Sequence, residues 1–269
     1  MYAFIHIPKT AGSTFRHILR LSFGPRHCDI KAPMGKRASH GWIDAADLRR
    51  SRHVYPLLDG VAGHRVTCFA GMQSGEPRVR FVTFLRDPHK RLLSHFQHQQ
   101  RGRSTPSTRE DFLAFCADPH QRNVQTRWIG GSEDADAAID ALDRSRVFVG
   151  LTEDFDTSLV LFRAWLGHPR LNIHYAPRNR APNPATLDVR ADPELVAAME
   201  EANRADLQLY RHAVDTVFPR QKAAYPGDLE RDLAKFRELN RGYVDRREPT
   251  WARFKRNYFY KPLLHLGLA

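Results

Sequence analysis

The first stretch with the composition of a reactive site lies near the amino terminus, Tyr2-Ala3-Phe4-Ile5-His6-Ile7-Pro8-Lys9-Thr10-Ala11-Gly12-Ser13-Thr14-Phe15. An apolar run of strand length ends at a proline, a loop of small and hydroxyl residues carries one lysine, and apolar residues then recur at helical spacing. Small residues let the backbone amides of Thr10, Ala11, Gly12, Ser13 and Thr14 approach an anion closely. The helix start adds the positive end of its dipole, and Lys9 adds a full charge. The pattern predicts an anion cradle. It is not the loop of a nucleotide triphosphatase, because GxxxxGK[ST] places its lysine after the second glycine, whereas Lys9 precedes Gly12.

A second stretch, residues 79–96, repeats the logic with different groups. An apolar strand runs into Arg86, and a helix opens at Pro88, where proline suits the first turn. Arg86 at the strand end and Ser94 on the helix can converge on one phosphate, the arginine as a fork of donors and the hydroxyl as a shorter-range one.

The string IPKTAGST and the RDPxxRxxSxF spacing from Arg86 to Phe96 resemble the two phosphate motifs of sulfotransferases that use 3′-phosphoadenosine 5′-phosphosulfate. The likeness is to the carbohydrate branch, which includes the heparan and dermatan sulfate 2-O-sulfotransferases, and it extends over residues 1–218. It implies that Lys9 to Thr14 hold the 5′-phosphosulfate, that Arg86 and Ser94 hold the 3′-phosphate, and that adenosine 3′,5′-bisphosphate is the product. Gly63-His64 before an apolar segment resembles the place of the family's catalytic base. Imidazole titrates near working pH and can take the acceptor hydroxyl's proton as oxygen attacks sulfur. Lys9 would then neutralise charge on the departing bridging oxygen.

Three weaker expectations come from the same resemblance. The run 122–131 is similar to the family's NxQTRxLxG segment, which implies that Asn123, Gln125 and Arg127 line the acceptor or cofactor cleft. The plainer reading of that run is a helix end capped by Gly130 with Trp128 buried. A late basic loop closes over the 3′-phosphate in this family, which makes Arg178 and Arg180 candidates, although an exposed basic loop is the plainer account of both. No metal is required, and the sequence has no clustered carboxylates of the kind that hold magnesium in phosphoryl transfer.

The elements needed to position these residues are those of an α/β domain. A central, mainly parallel, P-loop-like sheet with flanking helices is expected, the cofactor lying across the carboxyl ends of its strands. Strands are predicted at the start of the chain, before Arg86 and at 147–152. Helices are predicted at 14–23, 88–101, 109–116, 134–142 and 153–166, with a long one at 193–218. Residues 26–53 read as a basic, irregular connection with a short helical candidate at 43–50. A sulfotransferase domain at 1–218 and a basic, aromatic-rich helical extension at 219–269 are the expected division.

Composition sets the outer bounds. The chain of 269 residues has 42% hydrophobic content, enough for one large core, and a formal charge of +12 that favours anionic partners. Three scattered cysteines fit no disulfide framework or zinc site. With a strand opening at Tyr2 and no apolar run of bilayer length, neither leader nor anchor is expected. The suspected family's eukaryotic relatives are anchored in the Golgi, so a bacterial, cytoplasmic form is expected. The expected partner is a carbohydrate or glycolipid acceptor, and no nucleic-acid motif is present. The tail 246–261 interleaves Arg and Lys with aromatic residues, which suits an acidic membrane surface, packing back on the domain, or a homodimer contact. Two other functions remain open at this point: a phosphoryl-transfer kinase with an unusual loop, and a non-enzymatic binder of anionic polymers.

Overall fold

Five short strands, β1 (Tyr2–Ile5), β2 (His27–Asp29), β3 (Gly60–Gly63), β4 (Arg80–Leu85) and β5 (Phe148–Leu151), make one sheet in the order β2-β3-β1-β4-β5. The computed structural model describes residues 1–31, 41–74, 79–101, 106–176, 188–244, 249–260 and 262–263. All strand pairings are parallel, with Phe4 opposite Ala62 on one side and Val82 on the other. β1, β4 and β5 read as nearly continuous apolar runs and are buried, as strands of a parallel sheet covered on its faces are. The expected α/β class is the observed one.

β1 is central, and the chain changes direction around it. After β1 it builds β2 and β3 on one side, then crosses to β4 and β5 on the other. The carboxyl end of β1 is therefore the switch point at which open parallel sheets leave a crevice. Helix α1 (Gly12–Phe23) follows immediately and buries Phe15, Ile18, Leu19 and Phe23 against the sheet. Phe15 lies edge-on to Phe4 at 4.7 Å and also meets Phe84 and Phe162, which locks the loop's helix to β1, β4 and α7 (Phe155–Leu166).

Two local features differ from the pattern-based expectation, and the short helix between them is found where it was expected. β2 sits inside the supposed irregular connection because its polar residues are paired: the Tyr2 hydroxyl meets His27 Nδ1 at 2.8 Å, and Arg20 donates to Asp29 at 2.7 Å. The short helix there is α2 (Ala45–Val54), opened by a capping box of Asp44 and Asp47. The long helix is broken into α8 (Pro193–Ala202) and α9 (Arg204–His212), continued by a π turn Ala213–Val217 and α10 (Phe218–Ala223). Asn203 makes the break by turning its amide back to the Met199 carbonyl at 2.7 Å.

The division expected at 218/219 falls inside this helical run, and Phe218 is buried. Helix α11 (Leu229–Arg241) buries Leu233 and Phe236 in the main core. A second, smaller core joins α3 (Pro88–Gln99), α4 (Arg109–Ala117) and α8 through Leu92, Phe96, Phe112, Phe115, Leu195 and Met199. Cys28, Cys68 and Cys116 are buried, and none of them forms a disulfide. Among the described residues no helix is long and apolar enough to cross a membrane.

Candidate active site

Three adjacent strands deliver the three principal candidates to one edge. Lys9 follows β1, His64 follows β3 and Arg86 follows β4, and β3-β1-β4 are neighbours in the sheet. Arg86 Nη1 donates to the Lys9 carbonyl at 3.1 Å, which joins two motifs separated by 77 residues. One arm of the guanidinium fork thus braces the loop, and the other donors keep the fork's capacity for an oxyanion.

The loop is strained where it enters the helix. Lys9 (φ 70°) and Ala11 (φ 60°) both occupy the left-handed region, a costly conformation for residues with a Cβ and one that gathers at functional sites. Turns of this kind aim successive amides into a concavity. Ala11 is the N-cap of α1 and has no side chain with which to cap: the Thr14 amide donates to the Ala11 carbonyl at 3.0 Å, and the Gly12 and Ser13 amides before it have no cap side chain. The Thr10 hydroxyl is buried and donates to the Ile7 carbonyl at 3.0 Å, stapling the loop to the end of β1. Ser13 is exposed and Thr14 buried at the helix start.

His64 stands on the other side of β1. Its Nδ1 meets the His6 carbonyl at 2.7 Å, an arrangement that makes Nδ1 the donor and leaves Nε2 as the basic nitrogen. Its ring lies on that of His6, centroids 4.1 Å apart, and His6 in turn stacks on Phe4 at 5.3 Å. Burial lowers the pKa of His64, the bond to the His6 carbonyl opposes this, and Arg16 and Arg65 reinforce the lowering. His6 is buried and depressed to about 2, chiefly by burial and then by His64, so it is a neutral support. Gly12 fits against the same ring: a Cβ there would lie 2.0 Å from His6 Cδ2 and 2.1 Å from Nε2. Loop, stacked histidines and α1 are thus one packed unit.

The field at this edge is positive. Burial lowers the Lys9 pKa, and Arg101 and Arg86 add to it. His98 is depressed, first by Lys9, and His95 to about 4 by burial and then by Arg91 and Lys9. Ser94 is half-buried on the same helix, two turns from its start. His95, His98 and Arg101 escaped the motif reading, yet Ser94, His98 and Arg101 follow a helical spacing that would have grouped them.

Asn123, Gln125 and Arg127 prove to have structural engagements of their own. Gln125 is buried, accepts from the Arg86 amide and donates to the Arg86 carbonyl, both at 2.9 Å. Asn123 is buried, donates to Glu133 at 2.7 Å and accepts from the amides of Ala205 and Asp206 at the start of α9. Arg127 donates to the Pro119 carbonyl at 2.5 Å. The amides of Asn123 and Gln125 are spent on protein groups, so in this structure they position the site rather than line it, and Gln125 does so directly on Arg86. α5 (Val124–Gly130) is capped from a distance: Asp206 on α9 accepts from the Gln125 amide (3.1 Å), the Thr126 amide (2.7 Å) and the Thr126 hydroxyl (2.8 Å). Buried Arg91 pairs with Asp206 at 4.0 Å. Arg178 and Arg180 lie outside the described residues.

An aromatic group borders His64. Trp128 Nε1 donates to the His64 carbonyl at 2.8 Å, Trp42 meets Trp128 at 5.8 Å and Phe69 at 5.4 Å, and the Arg65 guanidinium sits 5.7 Å over Trp42. Trp42 and Trp128 are half-buried, and Phe69 and Arg65 are exposed.

Fold and candidate site together give an α/β protein in which the start of α1, Lys9 and Arg86 meet at the switch point of a parallel sheet, with a histidine beside them. No family model matches the chain. Over an alignment of 122 residues, which takes in 37% of this chain, it is 31% identical to heparan-sulfate 6-O-sulfotransferase 3-B of Danio rerio. The matched part is 26% of that protein's length, so the chain spans about a quarter of the relative it resembles.

Proposed function

We propose that the chain is a sulfotransferase that moves the sulfuryl group of 3′-phosphoadenosine 5′-phosphosulfate to a hydroxyl of a carbohydrate or glycolipid. The observation that carries this reading is the meeting of the Lys9 loop and Arg86 at the carboxyl ends of β1 and β4, with His64 beside them at the end of β3. A donor with phosphate groups at two positions needs two anion sites, and the uncapped start of α1 and the rest of the Arg86 fork supply them. The similarity to a heparan-sulfate 6-O-sulfotransferase supports the sulfotransferase class and a carbohydrate acceptor.

The donor supplies an activated sulfuryl group. His64 Nε2 takes the acceptor hydroxyl's proton as that oxygen bonds to sulfur. The bond from sulfur to the bridging 5′-phosphate oxygen breaks, and Lys9 neutralises the charge that collects there. The products are the sulfate ester, adenosine 3′,5′-bisphosphate and a protonated His64. Negative charge spreads over several oxygens in such a transition state, and fixed amides with one cation stabilise it without reorganising. The lowered His64 pKa keeps its base form available at neutral pH. Arg86 and Ser94 bind the 3′-phosphate, and Gln125 holds the Arg86 backbone in place. Trp42, Phe69 and Trp128 offer ring faces to the C–H face of a sugar, with Arg65 for an acidic substituent.

Radiolabelled donor and a panel of glycan and glycolipid acceptors test the proposal. The expected result is labelled acceptor from the wild type and a loss of about two to four decades in rate for His64→Ala, with bisphosphate affinity kept. Full turnover by His64→Ala would remove the base assignment. Binding and hydrolysis of ATP with magnesium, in place of the sulfonucleotide, would point to the kinase class instead.

A further inference from the structure

We propose that the carboxyl-terminal helix is a docking face for an anionic lipid surface, on which the chain rests without crossing it. Helix α12 (Thr250–Lys255) is continued by a π turn, Arg256–Tyr260. On it Trp251, Phe254, Tyr258 and Phe259 are 56%, 51%, 68% and 54% exposed. Single exposed apolar side chains are ordinary on a protein surface, but four large aromatics within nine residues are a patch. They are gathered: the Phe254 ring lies 4.8 Å from Tyr258 and 5.9 Å from Phe259, and Lys255 Nζ is 5.8 Å from the centre of Trp251. The segment is also anchored. Tyr260 packs on Tyr55 at 4.3 Å, just past α2, where Arg49, Arg52 and Leu57 are exposed.

Charge selects the occupant. Arg253 and Lys255 are exposed on this helix, and residues 250–263 contain no aspartate or glutamate. A twofold contact with a second copy would set this cationic face against itself, because such interfaces are self-complementary. A surface of anionic headgroups gives every cation an opposite charge, and its polar–apolar boundary is where Trp and Tyr rings are most favourable. The helical run covers only eleven residues, Thr250 to Tyr260, so it lies in the plane of the interface. The inference is independent of the sulfotransferase reading.

The test uses the full chain, sedimented with vesicles of phosphatidylcholine alone and of phosphatidylcholine mixed with phosphatidylglycerol. Pelleting is expected with the mixed vesicles only, and it should weaken as salt rises. The double variant Trp251→Ala/Phe254→Ala should lower partitioning by about tenfold or more, and Lys255→Gln by about fivefold, the equivalent of ~1 kcal/mol per basic residue at such a surface. Melting temperature, measured on the same variants, should be unchanged and so exclude misfolding as the cause. The proposal is overturned if the wild type ignores the mixed vesicles or if the double variant still pellets with them. A wild-type dimer in sedimentation velocity that the double variant dissolves, with no uptake by vesicles, would assign the face to self-association instead.

Discussion

Gly12→Ala should damage this protein although the usual helix rule says the opposite. Gly12 opens α1 and does not have a positive φ, so alanine suits its backbone and in a helix interior would gain up to about 1 kcal/mol. The obstacle is the His6 ring, 2.0 Å and 2.1 Å from the position the new methyl must take. Ordinary carbon contacts lie near 3.5 Å, so the ring must retreat by about 1.5 Å. It has little room, since Phe4 and His64 stack on it at 5.3 Å and 4.1 Å. Overpacking of this kind costs about 1–3 kcal/mol, roughly 2–10 °C in Tm for a chain of this size. The displaced stack should also shift His64, and a misplacement near 1 Å costs about a hundredfold in rate. Thermal melting and turnover of Gly12→Ala, measured with and without His6→Ala, separate the effects. In the His6→Ala background the glycine substitution should become nearly neutral for stability, a coupling of about 1–3 kcal/mol. Equal destabilisation in both backgrounds, or a Gly12→Ala protein as stable and active as wild type, would refute the steric argument.

Three further outcomes are expected. Because burial and neighbouring arginines lower the His64 pKa, the acid limb of kcat/KM should lie below pH 6.5, and a limb at or above that value would contradict the assignment. His6 is held neutral in the fold but takes a proton in the unfolded chain below its ordinary 6.5. Its contribution to stability is therefore lost as pH falls from 6.5 towards 2, by ~2 kcal/mol at pH 5. His6→Asn should flatten the decline of Tm between pH 7 and 5, and parallel declines would count against it. Gln125→Ala should leave the Arg86 amide and carbonyl unpaired and weaken adenosine bisphosphate binding by about tenfold. Calorimetry showing unchanged affinity would mean that Gln125 does not position Arg86.

What was legible in the sequence was local. Lys9 to Thr14 and Arg86 each sit where a strand ends and a helix begins, and that signal is carried by neighbours in the chain. The parallel sheet followed from the same alternation. What was not legible depends on distant partners. The placement of Gln125 on Arg86 rests on Asp206, which caps α5 across 80 residues, and no spacing encodes such a bond. β2 was hidden because His27 and Asp29 look like loop residues until Tyr2 and Arg20 pair with them. The break at Asn203 interrupts an apolar pattern that continues on both sides of it, so periodicity passes over it. The His6 stack was invisible for the same reason: His6 reads as one more strand residue until β3 brings His64 beside it.

Titration calorimetry of adenosine 3′,5′-bisphosphate, without added metal, reaches the central claim most directly. Binding is expected at neutral pH, weakened about tenfold to a hundredfold by Arg86→Ala, each lost charged hydrogen bond accounting for ~1.5–3 kcal/mol, and weakened also by Lys9→Ala. Absence of binding, or a nucleotide affinity that neither substitution changes, would mean that the edge formed by β3, β1 and β4 is not the donor site.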